Sequence, residues 1–212
     1  YDTAWRRFIR HDRGEEVGGN ERMLRYLETR APALNLEPEL VAIAAELTSL
    51  CTELNAEHRD IATLLILTTL ADVERGSTRT PLGDEHEDES LAHRFAELLD
   101  GWGEDSKALA ADWAARAVGM VRDGALSSII AVDPGHPRPF VHQPGWLYQQ
   151  RLFRAESILA SRLLSRMEIG ASAIPNARQA LNEVLEKPAG FTLSDEQALA
   201  VEMALNQSLT LI

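Results

Sequence analysis

The sequence predicts a mainly α-helical protein, with a helical N-terminal domain over residues 1–135 and the incomplete beginning of a second, α/β domain over residues 136–212. Over most of residues 1–121, apolar side chains recur at three- and four-residue steps, which is the spacing of one face of an α-helix. Near Gly124 that period gives way to a β-prone run and a connector rich in proline and glycine. The domain boundary is therefore expected in this connector.

The helical part contains one helix that should be central. Pro38 suits the first turn of the helix before it, and Asn55 suits the N-cap of the central helix itself. Because that helix is apolar on most sides, it should lie in the middle of a bundle. The helices are predicted at residues 2–11, around Met23–Leu27, and at 38–51, 55–76, 90–99 and 105–121.

The β-structure is predicted in short pieces. Residues 140–142 and 146–148 alternate around the loop Gln143-Pro144-Gly145, which indicates a β-hairpin. Further strands are expected at 78–81, 126–132 and 208–212, and further helices at 152–167, 176–186 and 194–206.

The composition restricts the function. Lys and Arg total 21 against 33 Asp and Glu, a formal net charge of −12. An acidic chain repels phosphate backbones, so we expect no DNA or RNA binding by this chain alone. The single cysteine, Cys51, excludes an internal disulfide and a multi-thiolate metal site, and it suits a reducing, cytoplasmic compartment. The uncharged run 61–71 is far shorter than the roughly 20 residues of a membrane span.

No catalytic or metal site is complete in these residues. The acidic residues 84–89, with His86 and His93 nearby, are the metal candidate, but consecutive polar residues in a loop usually point into water. The six histidines are scattered, no nucleophile motif is present, and Cys51 should be buried. Trp146 and Tyr148 could stack on a base, but aromatic residues of a hairpin are more often core.

Gln197 is the candidate binding residue. Together with Ser194 it forms the pattern of a capping box, in which the glutamine accepts a hydrogen bond from the first amide of the helix. On this pattern alone, Gln197 is structural. A glutamine that begins a helix before a short apolar strand also resembles the entry to the first RecA-like motor domain of superfamily 1 helicases, and this resemblance implies that the amide accepts and donates hydrogen bonds to adenine.

Several motifs occur in an order that resembles one family. The chain carries Pro139-Phe140-Val141 and Trp146-Leu147-Tyr148, then a helix with Glu156 in its first turns, and upstream the unit 64–82 with Gly76 and Pro81-Leu82. The later string is Gln197, Ala200, Val201, Ala204 and Leu205. Over residues 56–212 this order is similar to the RecD family, the alpha subunit of exodeoxyribonuclease V.

The resemblance implies an ATP-dependent 5′→3′ DNA helicase subunit that acts in double-strand-break repair and recombination. Residues 136–212 would then begin a RecA-like motor domain of superfamily 1 helicases, and Gln197 would contact the adenine of ATP. The N-terminal domain would dock to RecC, in a complex that also contains RecB and DNA. ATP and Mg²⁺ would bind the full-length protein only, because the G-x-x-x-x-G-K-[ST] loop would lie beyond Ile212.

Two alternatives remain. The chain could belong to a stand-alone RecD-like helicase, or it could be a non-catalytic helical adaptor that binds other proteins. Because the chain starts at Tyr1 rather than Met and stops within an apolar run at Ile212, we expect it to be part of a longer protein. On the helicase interpretation this part alone has no catalytic residues and is inactive.

Overall fold

A computed structural model describes residues 19–83, 90–103, 105–169, 194–207 and 210, with four single positions between 176 and 183. The chain divides into two compact units, Tyr1–Phe153 and Arg154–Ile212. The predicted helix 2–11 and the acidic segment 84–89 lie outside the described residues. The predicted helix 176–186 and strand 208–212 lie mostly outside them.

The first unit is mainly helical, as the sequence predicts. Pro38 occupies the first turn of its helix. The side chain of Asn55 accepts a hydrogen bond of 2.8 Å from the amide of His58, so its predicted N-cap role is confirmed. The helices are α1 (Gly19–Arg30), followed by a 3-10 turn (Ala31–Leu34), α2 (Pro38–Ser49), α3 (Ala56–Glu74), α4 (Leu91–Leu98) and α5 (Ser106–Arg122).

Helix α3 forms the centre of this unit. Every residue from Asp60 to Thr69 is buried, so the prediction of a central helix is confirmed. The other four helices pack against it. They contribute fully buried side chains, among them Leu27 of α1 and Phe95 of α4. Removing one such side chain costs about 2–5 kcal/mol, which is a large fraction of the stability of a domain.

Four short strands form one mixed sheet. They are β1 (Arg79–Pro81), β2 (Ile130–Ala131), β3 (Phe140–Gln143) and β4 (Trp146–Gln149), in the spatial order β1-β4-β3-β2. Strands β3 and β4 form the predicted hairpin. Strand β1 pairs antiparallel with β4, and β2 pairs parallel with β3. The structure is therefore mainly helical with a small four-stranded mixed sheet, and its RecA-like character stays a prediction.

The hairpin turn follows from two residues. Pro144 and Gly145 connect Gln143 to Trp146, which are paired across the strands. Gly145 has φ +80°, a conformation that residues with a Cβ adopt at a cost. Proline followed by a glycine with positive φ is the sequence preference of a type II turn.

The prediction of a strand over residues 126–132 is mostly wrong. Only Ile130 and Ala131 are in a strand, and residues 123–129 form turns. Leu126 and Ile129 are nevertheless buried, and the amide of Ile129 donates to the carbonyl of Leu126 at 3.0 Å. The run is apolar because tight turns insert its side chains into the core, and this burial does not require an extended backbone.

The hairpin shares its sheet with residues 79–81 of the helical part. The sequence predicts that the hairpin belongs with residues 136–212, whereas β1 and β4 both lie in the unit that ends at Phe153. The domain boundary near residue 135 itself stays a prediction.

In the described part of the chain, two further helices follow the sheet. Helix α6 (Gln150–Ile169) starts in the first unit and continues in the second, and α7 (Asp195–Asn206) lies in the second unit. The helices predicted at 152–167 and 194–206 are thus confirmed. Both carry exposed apolar side chains: Ile158, Leu159, Leu164 and Met167 on α6, and Leu199, Val201 and Met203 on α7.

Candidate functional site

The first turn of α7 contains the predicted binding residue, Gln197. The hydroxyl of Ser194 accepts a hydrogen bond of 3.3 Å from the amide of Gln197, and the Oε1 atom of Gln197 accepts one of 3.0 Å from the amide of Ser194. The predicted capping box is therefore confirmed. Glu196 adds a third polar group, since its carboxylate accepts from the Ser194 hydroxyl at 2.8 Å.

The carboxylate of Glu196 is held in its charged form. A hydrogen bond from its own backbone amide, and then the one from Ser194, keep the pKa of Glu196 below its usual value. A negative charge in the first turn is favourable because the helix dipole is positive there. The beginning of α7 is thus well fixed by its own residues, and it needs no ligand to be formed.

Gln197 is exposed to solvent. Its Oε1 atom has a second lone pair beyond the one used for the cap, and its Nε2 group carries two N–H donors. An adenine edge could therefore bind the amide without opening the capping box. The residue fits the predicted contact by its chemistry and exposure, and the adenine role stays a prediction.

The aromatic residues of the hairpin already have partners. The guanidinium of Arg79 lies 3.8 Å from the centroid of the Trp146 ring, and Tyr148 packs edge-on against Phe153 with 5.3 Å between ring centroids. Tyr148 is buried. Tyr148 is thus a core residue, as the sequence favours for aromatic residues of a hairpin, whereas Trp146 is half-buried beside Arg79. The Arg79 contact was missed because it joins two strands that are far apart in sequence.

A buried charged group that the sequence analysis missed joins three elements. Asp72 of α3 is 1% exposed, accepts a hydrogen bond of 2.7 Å from Thr80 of β1, and forms an ion pair with Arg94 of α4. Burial raises the pKa of Asp72, and the contacts with Thr80 and Arg94 oppose that rise. The only signal in the sequence is an aspartate near the end of a largely apolar helix. The group holds the sheet against the helices and leaves no open site.

The other candidate residues do not come together. Burial raises the pKa of the Cys51 thiol, which is buried and therefore a poor nucleophile. The predicted burial of Cys51 is confirmed, although it lies just after α2 and not on the helix. His93 is exposed and lies 3.6 Å from Glu97, its neighbour one turn away. Among the described residues, no three His, Cys, Asp or Glu side chains are arranged to hold a metal ion.

The first unit also contains an open groove of about 540 Å³, between α2, the end of α3 and the beginning of the hairpin. This volume is within the range of ligand-binding clefts. The polar residues at its edge include Glu74, Arg138 and Arg151. Its apolar lining consists of Leu40, Ile43, Leu47, Leu70, Val73 and Phe140. Sequence reasoning missed this groove because its walls come from three separate parts of the chain.

No protein-family model, curated protein or solved structure matches this chain. In the part of the chain that the structure describes, none of the helices has the length and apolar character needed to cross a membrane. What is shown is a mainly helical protein with a small mixed sheet, a solvent-exposed glutamine at a capped helix start and an apolar groove.

Proposed function

We propose that this chain is the N-terminal part of a RecD-like ATP-dependent DNA helicase subunit of exodeoxyribonuclease V. The observation that carries the proposal is the order of elements: a β-hairpin at 140–149, a long helix, and then a helix that opens with an exposed Gln197. This is the order in which the family's motifs occur. In the proposal the first unit docks to a partner, RecC, and the chain beyond Ile212 supplies the motor.

The acidic composition supports docking to protein rather than to DNA. A net charge of −12 repels phosphate groups as a whole, and phosphate neutralisation supplies most of the non-specific affinity for nucleic acid. In the assembled subunit, ATP and Mg²⁺ would be held by residues that follow Ile212. Among the residues that the structure describes, Gln197 would contact the adenine ring of ATP.

The first experiment is to establish the sequence that the gene encodes after codon 212. The proposal predicts a glycine-rich G-K-[ST] loop within about ten codons, because such a loop follows the first strand of the motor domain. It also predicts that the full-length product hydrolyses ATP faster when DNA is added. A stop codon directly after Ile212, or a full-length product without DNA-stimulated ATPase activity, would overturn the helicase proposal.

The role of Gln197 requires variants that separate its two functions. In the full-length protein, Gln197→Glu keeps an acceptor for the capping box but loses the N–H donors that adenine needs. We expect the preference for ATP over GTP, as a ratio of kcat/KM, to fall about tenfold or more. Ser194→Ala removes the cap hydroxyl and keeps the amide, so it should leave this preference unchanged. If both variants retain the wild-type preference, Gln197 has no role in adenine recognition.

The groove in the first unit favours one second candidate, a helical adaptor that binds proteins and has no motor. This candidate predicts that the natural polypeptide ends near residue 212 and still binds a partner. A longer native polypeptide in cell extract would exclude it. Co-purification with RecB and RecC separates the complex-bound helicase from the stand-alone form, since the stand-alone form should bind neither.

A further inference from the structure

The apolar wall of the groove follows one helix. Leu40, Ile43 and Leu47 recur at three- and four-residue steps along α2 and so form a stripe on one side of it. From Leu40 to Leu47 there are seven steps of about 1.5 Å each, so this stripe is about 10 Å long, or two helical turns. Ile43 at its middle is 46% exposed, so its side chain is accessible from the solvent.

The opposite wall is also apolar. Leu70 and Val73 of α3 face the groove, and both are half-buried. Phe140 adds a fully buried ring from the first residue of β3. The groove is open to solvent, so its apolar surface is available to a partner. An open groove with apolar side chains from two helices is the kind of surface that receives the apolar face of a helix.

Arg138 and Arg151 are the cations at the edge of the groove. Within the described parts of the chain, no carboxylate forms an ion pair with Arg138 or Arg151. The Nε atom of Arg151 donates to the side chain of Gln149 at 3.0 Å, and its remaining guanidinium N–H groups are available. Glu74 is the one carboxylate among the described residues that line the groove, so the two exposed arginines give this edge an excess of one positive charge in a chain of net charge −12.

We propose that this groove binds an amphipathic helix of a partner protein, with apolar side chains between α2 and α3 and carboxylates on Arg138 and Arg151. The proposal specifies the site and the chemistry of the docking step. It rests on the groove alone, so it does not depend on Gln197 or on ATP hydrolysis. The partner helix is short, apolar on one side and acidic at the end that meets the two arginines.

The apolar helices of this chain itself fit the groove less well. Helix α6 carries exposed apolar residues, but its charges are mainly arginines, among them Arg154, Arg162 and Arg166, which the positive edge would repel. The exposed Leu199 and Met203 of α7 span one turn only, whereas α2 lines the groove over two turns. A separate partner is therefore favoured over a second copy of the chain.

The test uses the full chain and two labelled synthetic peptides of about 16 residues, long enough to form a helix. Both carry leucines at positions i, i+3, i+4 and i+7, and they differ only in having glutamates or lysines at one end. Fluorescence anisotropy measures their affinity for the protein. We expect the acidic peptide to bind about tenfold or more tightly than the basic one, with the difference decreasing as salt is added.

Substitutions inside and outside the groove test where the peptide binds. Ile43→Glu puts a charge into the middle of the groove at a half-exposed position that the fold tolerates, and it should weaken the acidic peptide about tenfold or more. Leu50→Glu is the matched control, because Leu50 is 53% exposed and does not line the groove. It should change the affinity less than about twofold. The double variant Arg138→Glu, Arg151→Glu should reverse the preference between the two peptides.

Three results would overturn the proposal. Equal affinities for the acidic and basic peptides would show that Arg138 and Arg151 do not contribute to binding. If Ile43→Glu and Leu50→Glu weaken binding equally, the peptide does not bind in the groove. The same conclusion follows if neither peptide binds. A wild-type protein that sediments as a dimer, with Ile43→Glu a monomer, would assign the groove to a second copy of the chain.

Discussion

The hydroxyl group of Thr80 donates a hydrogen bond of 2.7 Å to Oδ2 of Asp72, and both residues are buried. The other carboxylate oxygen of Asp72 pairs with Arg94. One aspartate therefore connects the central helix, the edge strand β1 and helix α4. Burying a charged carboxylate is costly unless it is paired and hydrogen-bonded, and Asp72 is both.

Replacing this aspartate should destabilise the protein strongly. Asp72→Asn removes the charge that compensates Arg94, whose side chain is 19% exposed. We expect the free energy of unfolding in urea to fall by about 2–4 kcal/mol. The control is Asp112→Asn, which breaks an exposed pair with Arg116 and should cost less than about 1 kcal/mol. Equal effects of the two substitutions would show that burial of the Asp72 pair is unimportant.

Asp60 should make the stability depend on pH. It is 7% exposed, and its Oδ1 atom has no hydrogen-bond partner among the described residues. Burial, and then the nearby charge of Glu57, raise the pKa of Asp60 to about 6. The folded state thus holds this proton more tightly than the unfolded state, in which the carboxyl group has a pKa of 3.8. The stabilisation is present below about pH 4 and is lost as the pH rises through about 6.

The variant Asp60→Asn isolates this effect. We expect it to be more stable than the wild type at pH 7.5, by about 1–3 kcal/mol, and to lose that advantage at pH 4. Urea unfolding of both proteins at several pH values measures the difference. Glu53→Gln, in an exposed loop, is the control and should follow the wild-type profile. A constant difference between Asp60→Asn and the wild type at all pH values would contradict the assignment.

Replacing Gly145 or Gly119 by alanine should change the stability of the protein in opposite directions. A Cβ at Gly145 would meet nothing within 4 Å, so Gly145→Ala should cost about 1 kcal/mol through its φ of +80° alone. Gly119 lies within α5, also with nothing within 4 Å and with no positive φ. Gly119→Ala should therefore stabilise the protein by about 0.5–1 kcal/mol. Thermal unfolding of both variants tests this pair, and a shared sign would refute it.

The capping box should control the beginning of α7. Ser194→Ala removes the hydroxyl that accepts from the amide of Gln197, and it should cost about 1 kcal/mol of local stability. Hydrogen exchange at that amide should accelerate, while the amides of α3 should keep their protection. If exchange at Gln197 stays at the wild-type rate, the box does not form in solution.

Local signals in the sequence predicted most of the elements. The Asn55 cap, the Pro144-Gly145 turn and the capping box at Ser194 each depend on residues within four positions, so their chemistry is visible without the fold. The contact of Arg79 with Trp146 and the ion pair of Asp72 with Arg94 are not visible in this way. They depend on which strands and helices become neighbours, and this is decided by packing over the whole unit.

The same distinction applies to the candidate sites. Gln197 could be predicted because one short segment contains the whole pattern. The groove could not be predicted, because apolar residues of α2 look like ordinary core positions until the structure shows that Ile43 is exposed. The apolar run at 126–132 led to a wrong prediction for a related reason: apolar character indicates burial, and turns can bury side chains as well as strands can.

The pairing of β1 with β4 has a consequence for how the protein is made. Arg79 lies beside Tyr148, which is 69 positions later in the chain. Closing such a long loop is slow compared with forming helices. During synthesis, the helices up to α5 are made before β4, so β1 spends that time with the hydrogen-bonding groups of one edge unpaired. A chaperone that binds extended segments would therefore find its target around residues 79–81 in the nascent chain, and would lose it once the hairpin emerges.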